Sequence, residues 1–188
     1  MSSIGEPGNG AADTGVGHEA AHQKAVALGV LDCTLDRALW THEAHLDFAA
    51  GIVRLYGAEA SMTVSRVAIR NYNEVSNCAN SDSGGYHETL TAYFCAAVAF
   101  LVDLLAPGQR LSDHSLLSRE APLAFWDRES LFSVAARRGW VPPLRPLPFA
   151  LPFTLTRAGK PGEENAVSRR TNDSARVTET TRTGEVRC

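Results

Sequence analysis

Hydrophobic positions along this chain recur every three to four residues, the period of a helix, and no region reads as a sheet. The clearest run is residues 35–56. Leu35, Leu39, His42, Leu46, Ala49, Val53 and Tyr56 form one stripe, and Ala38, His45, Phe48, Ile52 and Leu55 form the next. Asp36, Glu43, Asp47 and Arg54 fall opposite, so the pattern predicts an amphipathic helix with Thr34 as its cap and Gly57 as its stop. A shorter, weakly amphipathic helix is predicted over 18–31. A third, over 58–77, carries Ala60, Val64, Val67, Asn71 and Val75 along its apolar stripe, with Arg66, Arg70 and Glu74 on the other side. A fourth runs from Tyr86 to Leu105. Beyond Thr91 it is apolar almost all round, as a helix in the middle of a bundle must be. Only its first turn, Tyr86-His87-Glu88-Thr89, is polar, which places that turn at one end of the core.

The rest of the chain is punctuated differently. Residues 76–85, SNCANSDSGG, are turn formers throughout. Residues 110–133 hold one or two short helices, including RESLFSVAARRG at their end. Residues 140–153 contain five prolines, which no helix survives, so an extended segment packing back over the bundle is expected. Residues 1–17 and 154–188 are too polar to bury a core and read as a disordered leader and tail. The expectation is an all-α protein: a single domain over 18–153, a small bundle of four to five helices with a proline-rich extended C-terminal segment and disordered termini.

Composition narrows the function classes. At 188 residues, 44% hydrophobic and 21% charged, the chain has the balance of one globular domain. A net charge of −3 gives no basic patch for nucleic acid. The longest uncharged apolar stretch, Thr89 to Val102, is short for a membrane span, and the N-terminus lacks the basic and apolar regions of a signal peptide. The four cysteines are scattered without CxxC spacing, which fits a reducing, cytoplasmic setting. No GxGxxG, GxxxxGK[ST] or GxSxG motif is present, which argues against a kinase or a dehydrogenase.

The candidate chemistry lies in His42, His45, His87 and Glu88. His42 and His45 face inward from the second helix while Glu43 faces out. His87 and Glu88 open the buried fourth helix, and Asn71 is the polar residue on the inward face of the third. Two histidines three apart on a helix can converge on one cation, and bundles build metal sites from side chains on facing helices. A histidine at a helix N-terminus also tends to stay neutral, the form that binds metal. His42, His45 and His87 are therefore candidate ligands for a divalent ion (zinc, iron, manganese or copper). Glu88 is a candidate fourth ligand or general base, and His87 a candidate catalytic group. Thr41 and Thr89 are candidate caps, Thr91 is placed to orient the His87 ring, and Trp40 and Tyr86 are placed to wall the site.

Four blocks carry a resemblance: Trp40-Thr41-His42-Glu43-Ala44-His45-Leu46, Ile69-Arg70-Asn71-Tyr72-Asn73, Gly85-Tyr86-His87-Glu88-Thr89-Leu90-Thr91, and Ala136-Arg137-Arg138-Gly139-Trp140 through Pro148. Together they resemble a family of small bacterial helical proteins to which no activity is assigned. The resemblance spans about residues 34–148 and implies that His42, His45, His87 and Glu88 act as one set. Pro142-Pro143 departs from it, since an Asp-Pro-like pair often stands there. The leading expectation is a small-molecule enzyme whose metal activates water or dioxygen, a hydrolase or an oxygenase. The alternative is a non-catalytic domain binding a ligand or partner, with the histidines as a structural polar network closing the bundle.

Overall fold

A computed structural model of the chain describes residues 13–106 and 109–155. The architecture is all-helical, a small bundle, with no β-strand among the described residues. Four helices make it: α1 (Asp13–Leu31), α2 (His42–Tyr56), α3 (Ala58–Val75) and α4 (Glu88–Leu101). Three 3-10 turns then lead to two short helices, α5 (Arg128–Leu131) and α6 (Val134–Arg138). The expected leader, 1–17, overlaps α1 from Asp13 onward, and its first twelve residues lie outside the described residues. Of the expected tail, 156–188 lies outside them too.

Helix α2 is the shared wall of two apolar clusters. Its Phe48 and Ile52 pack with Val26, Ala27 and Val30 of α1 and with Ile69 and Tyr72 of α3. Its Leu46, Ala49 and Ala50 pack with α4 and with Trp126, Leu131, Trp140 and Phe149 from the C-terminal segment. Gly51 lets α1 and α2 meet closely: a Cβ there would overlap the Gln23 carbonyl oxygen and stand 2.6 Å from the Ala27 Cβ.

Two helices and the face of a third depart from the sequence pattern: α2 and α4 start later than expected, α4 ends at Leu101 and not Leu105, and α3 buries a different face. Helix α2 starts at His42, because Asp36 caps a separate 3-10 turn at Arg37–Leu39, and Thr41 then caps α2 through the Ala44 N–H. Both histidines of the pair are thus in the first turn of the helix. Helix α3 is rotated relative to its valine stripe. Its buried residues are Ser61, Met62, Ser65, Ala68, Ile69, Tyr72 and Asn73, while Val67 and Val75 are more than half exposed. The bulk of Met62, Ile69 and Tyr72 outweighs the valines, and the small serines admit α4, whose Cys95 thiol reaches Ser65. Helix α4 starts at Glu88, because His87 itself is the cap.

The proline segment does pack back on the bundle. Trp126 Nε1 donates to the Val141 carbonyl at 3.0 Å, and the Leu144 N–H to the Phe125 carbonyl at 2.9 Å. Thr89, expected as a cap, is instead buried, donating to the Gly139 carbonyl and accepting from the Val141 N–H. Phe149 reaches the Tyr93 ring, centroids 5.5 Å apart, at the centre of the larger cluster. No helix among the described residues is long and apolar enough to cross a membrane.

Candidate functional site

A cavity of about 500 Å³ opens where the N-terminal turns of α2 and α4 meet α3. Its walls include Trp40, His42, His45 and Phe48 on one side and Tyr86, His87, Leu90, Thr91 and Phe94 on the other. Ile69 and Asn73 of α3 also line it, and Arg119 comes from the segment before α5. The volume is that of a small-molecule site.

Inside it the three histidines have different bonding. The His45 Nδ1–H donates to the carbonyl of Thr41, which leaves the Nε2 lone pair without a partner among the described residues. The ring stacks on Trp40, centroids 3.7 Å apart. Burial is the main cause that lowers its pKa to about 4, with His42 and Arg119 adding charge repulsion. His42 Nε2–H donates to the Leu117 carbonyl at 2.7 Å, leaving Nδ1 unpartnered. No buried side-chain nitrogen or oxygen among the described residues lacks a hydrogen bond, so both free ring nitrogens are reached by solvent.

His87 has nothing left to give. Its Nδ1 accepts from the Leu90 N–H at 3.3 Å, capping α4, and its Nε2–H donates to the Leu131 carbonyl at 3.0 Å. That pair of bonds fixes the neutral tautomer, and burial, then the charge of Arg137, lowers its pKa to about 4. Glu88 is likewise committed. Arg66 donates from Nε and Nη2 to both of its oxygens, and the Tyr86 hydroxyl donates to Oε2 at 2.8 Å. Burial and the neighbouring carboxylate raise the Tyr86 pKa well above the usual phenol range. Arg70 lies over the Tyr86 ring at 4.6 Å, a cation–π contact.

The sequence-derived set therefore divides. His42 and His45 share the cavity with free lone pairs. His87 lines it but both its nitrogens are bonded, and the Glu88 carboxylate sits behind Tyr86, paired with Arg66. As arranged, the expected donor set of three imidazoles and a carboxylate does not meet at a point. Among the described residues no group of three His, Cys, Asp or Glu side chains is placed to hold a metal ion. Asn71 is exposed; the inward asparagine is Asn73, which donates to Asn80 Oδ1 at 2.9 Å. The rotation of α3 exchanges the two. Thr91 stands beside the Tyr86 hydroxyl and does not orient the His87 ring, whose nitrogens are both taken. Thr41 serves twice, its hydroxyl as the α2 cap and its carbonyl as the acceptor for His45. Arg119 was invisible to pattern reading, since one arginine in a polar turn carries no periodicity.

Comparison of the chain with protein-family models, with curated proteins and with solved structures finds no match.

Proposed function

We propose that the cavity binds a small organic molecule and that His45 is the group that takes a proton from it. The observation that carries this reading is the unpartnered, solvent-reached Nε2 of a ring held by the Thr41 carbonyl and the Trp40 face. A ring so held is pre-oriented, and its depressed pKa keeps the lone pair free through neutral pH. The chemistry is general-base activation of an O–H, N–H or acidic C–H on the bound molecule. His42, anchored on the Leu117 carbonyl, is placed beside it with a second free nitrogen. The polar-network reading applies to His87 and Glu88, whose hydrogen-bonding groups are spent on holding α4 to α3 and α5. The metal reading reduces to His42 and His45, with solvent or substrate completing the shell. It predicts near-stoichiometric zinc, iron, manganese or copper that disappears in a folded His42→Ala/His45→Ala variant.

The base reading is tested by diethylpyrocarbonate modification of the full chain, mapped by mass spectrometry. Only an unprotonated, accessible ring nitrogen reacts. His45 is expected to react at a rate that holds between pH 7 and about pH 5, where an ordinary histidine peptide slows as it protonates. His87 is expected to stay unmodified. An unreactive His45, or one that slows through the ordinary histidine range, overturns the reading.

A further inference from the structure

Among the described residues that line the cavity there is no Asp or Glu, and with histidine counted neutral Arg119 is the single formal charge. Among the described residues its guanidinium has no carboxylate partner: the ion pairs there use Arg54, Arg66, Arg110, Arg138 and His22 instead. The cavity wall also carries the apolar and aromatic side chains Phe48, Ile69, Leu90 and Phe94. A cationic fork with no counter-ion among the described residues, at a cavity with aromatic and aliphatic walls, leaves a charge that a ligand of opposite sign would balance.

We propose that the ligand of this cavity is a small monocarboxylate with an apolar body, its carboxylate on the Arg119 guanidinium and its hydrocarbon or aromatic part against Phe48, Ile69 and Phe94. This rests on the reading of the cavity as a small-molecule site. One guanidinium balances one negative charge, which favours a carboxylate over a phosphate dianion. The planar fork suits two parallel N–H···O bonds to a carboxylate. A proton-bearing group elsewhere on the molecule would then face His45 Nε2, and the carboxylate would offset the repulsion that Arg119 exerts on that ring.

The test is a titration of the full-length protein followed by amide and side-chain NMR. The probes are benzoate, benzamide, benzylamine and phenyl phosphate, compounds of similar ring and different charge. Benzoate is expected to shift the Arg119 Nε–H, Trp40 and His45 resonances and to bind roughly tenfold tighter than benzamide. Arg119→Gln should erase that preference by lowering benzoate affinity to that of benzamide, and Arg119→Lys should keep part of it. Because Arg119 is exposed, both variants should fold, which circular dichroism checks. Equal affinity for benzoate and benzamide overturns the inference and leaves the cavity reading standing. So does a preference that survives Arg119→Gln, or tighter binding of phenyl phosphate or benzylamine. If no probe of any charge perturbs Trp40 or His45, both readings fall.

Discussion

Replacing His87 by alanine tests whether that ring is structural. Three losses follow from the geometry. The Leu90 N–H loses its acceptor, which costs about 1 kcal/mol for a missing helix cap. The Leu131 carbonyl loses its donor in a buried place, about 1–2 kcal/mol more. The emptied ring volume of a residue only 6% exposed adds roughly 1 kcal/mol. The sum is about 3–4 kcal/mol, or a fall in Tm of roughly 10 °C for a domain of this size. His45→Ala is the internal control. The Thr41 carbonyl that accepts from His45 Nδ1 also accepts the His45 backbone N–H at 3.0 Å, so truncation leaves nothing unpaired. The loss of the Trp40 stack costs about 1 kcal/mol or less. His87→Asn, which restores a capping acceptor but not the bond to Leu131, should fall between the two. Urea unfolding at pH 7.5, read by circular dichroism, gives all three values. If His87→Ala lies within about 0.5 kcal/mol of the parent, or if His45→Ala is the more damaging, the division into structural and cavity histidines is wrong.

Three further outcomes are expected. Stability should fall as pH drops from about 6.5 to about 4: the unfolded rings of His45 and His87 take up protons there while the native rings do not, a loss of up to about 3 kcal/mol per ring, and urea midpoints across that window check it. Glu88→Ala strands the Arg66 guanidinium and the Tyr86 hydroxyl and should cost about 3 kcal/mol, near the low end for a broken buried pair because Arg66 keeps part of its side chain in water; Arg66→Met/Glu88→Gln should recover part of it. Gly51→Ala should cost about 2–3 kcal/mol by forcing α1 off α2, seen as a lower Tm with shifted Val26 and Ala27 methyl resonances.

The helical content, the buried fourth helix and the packing of the proline segment were legible because each rests on a strong local signal: the helical period, the apolar run and the density of proline. The inward placement of His42 and His45 was legible for the same reason. What failed depended on competition between comparable choices. In α3 the valines and the Met62–Ile69–Tyr72 face both have helical spacing, and only the neighbour that covers one of them decides, so Asn71 and Asn73 exchange roles. The Asp36 cap at the Arg37–Leu39 turn competes with continuing α2 toward Leu35, and its carboxylate bond to the Ala38 N–H wins. The division of Tyr86-His87-Glu88-Thr89 was out of reach in principle. Its partners are Arg66, Leu131 and Gly139, 22, 44 and 50 residues away, and spacing along one helix says nothing of them. Arg119 is the same case, a residue defined by the cavity it borders.

The central claim is that one imidazole is spent on the fold while another is kept free in the cavity, and long-range proton–nitrogen correlation of the histidine rings tests it most directly. In the full-length protein the His87 ring should carry its proton on Nε2 and the His45 ring on Nδ1, both unchanged as pH falls from 8 to about 5. A His87 ring that titrates near 6.5, or that shows the same tautomer as His45, would contradict it.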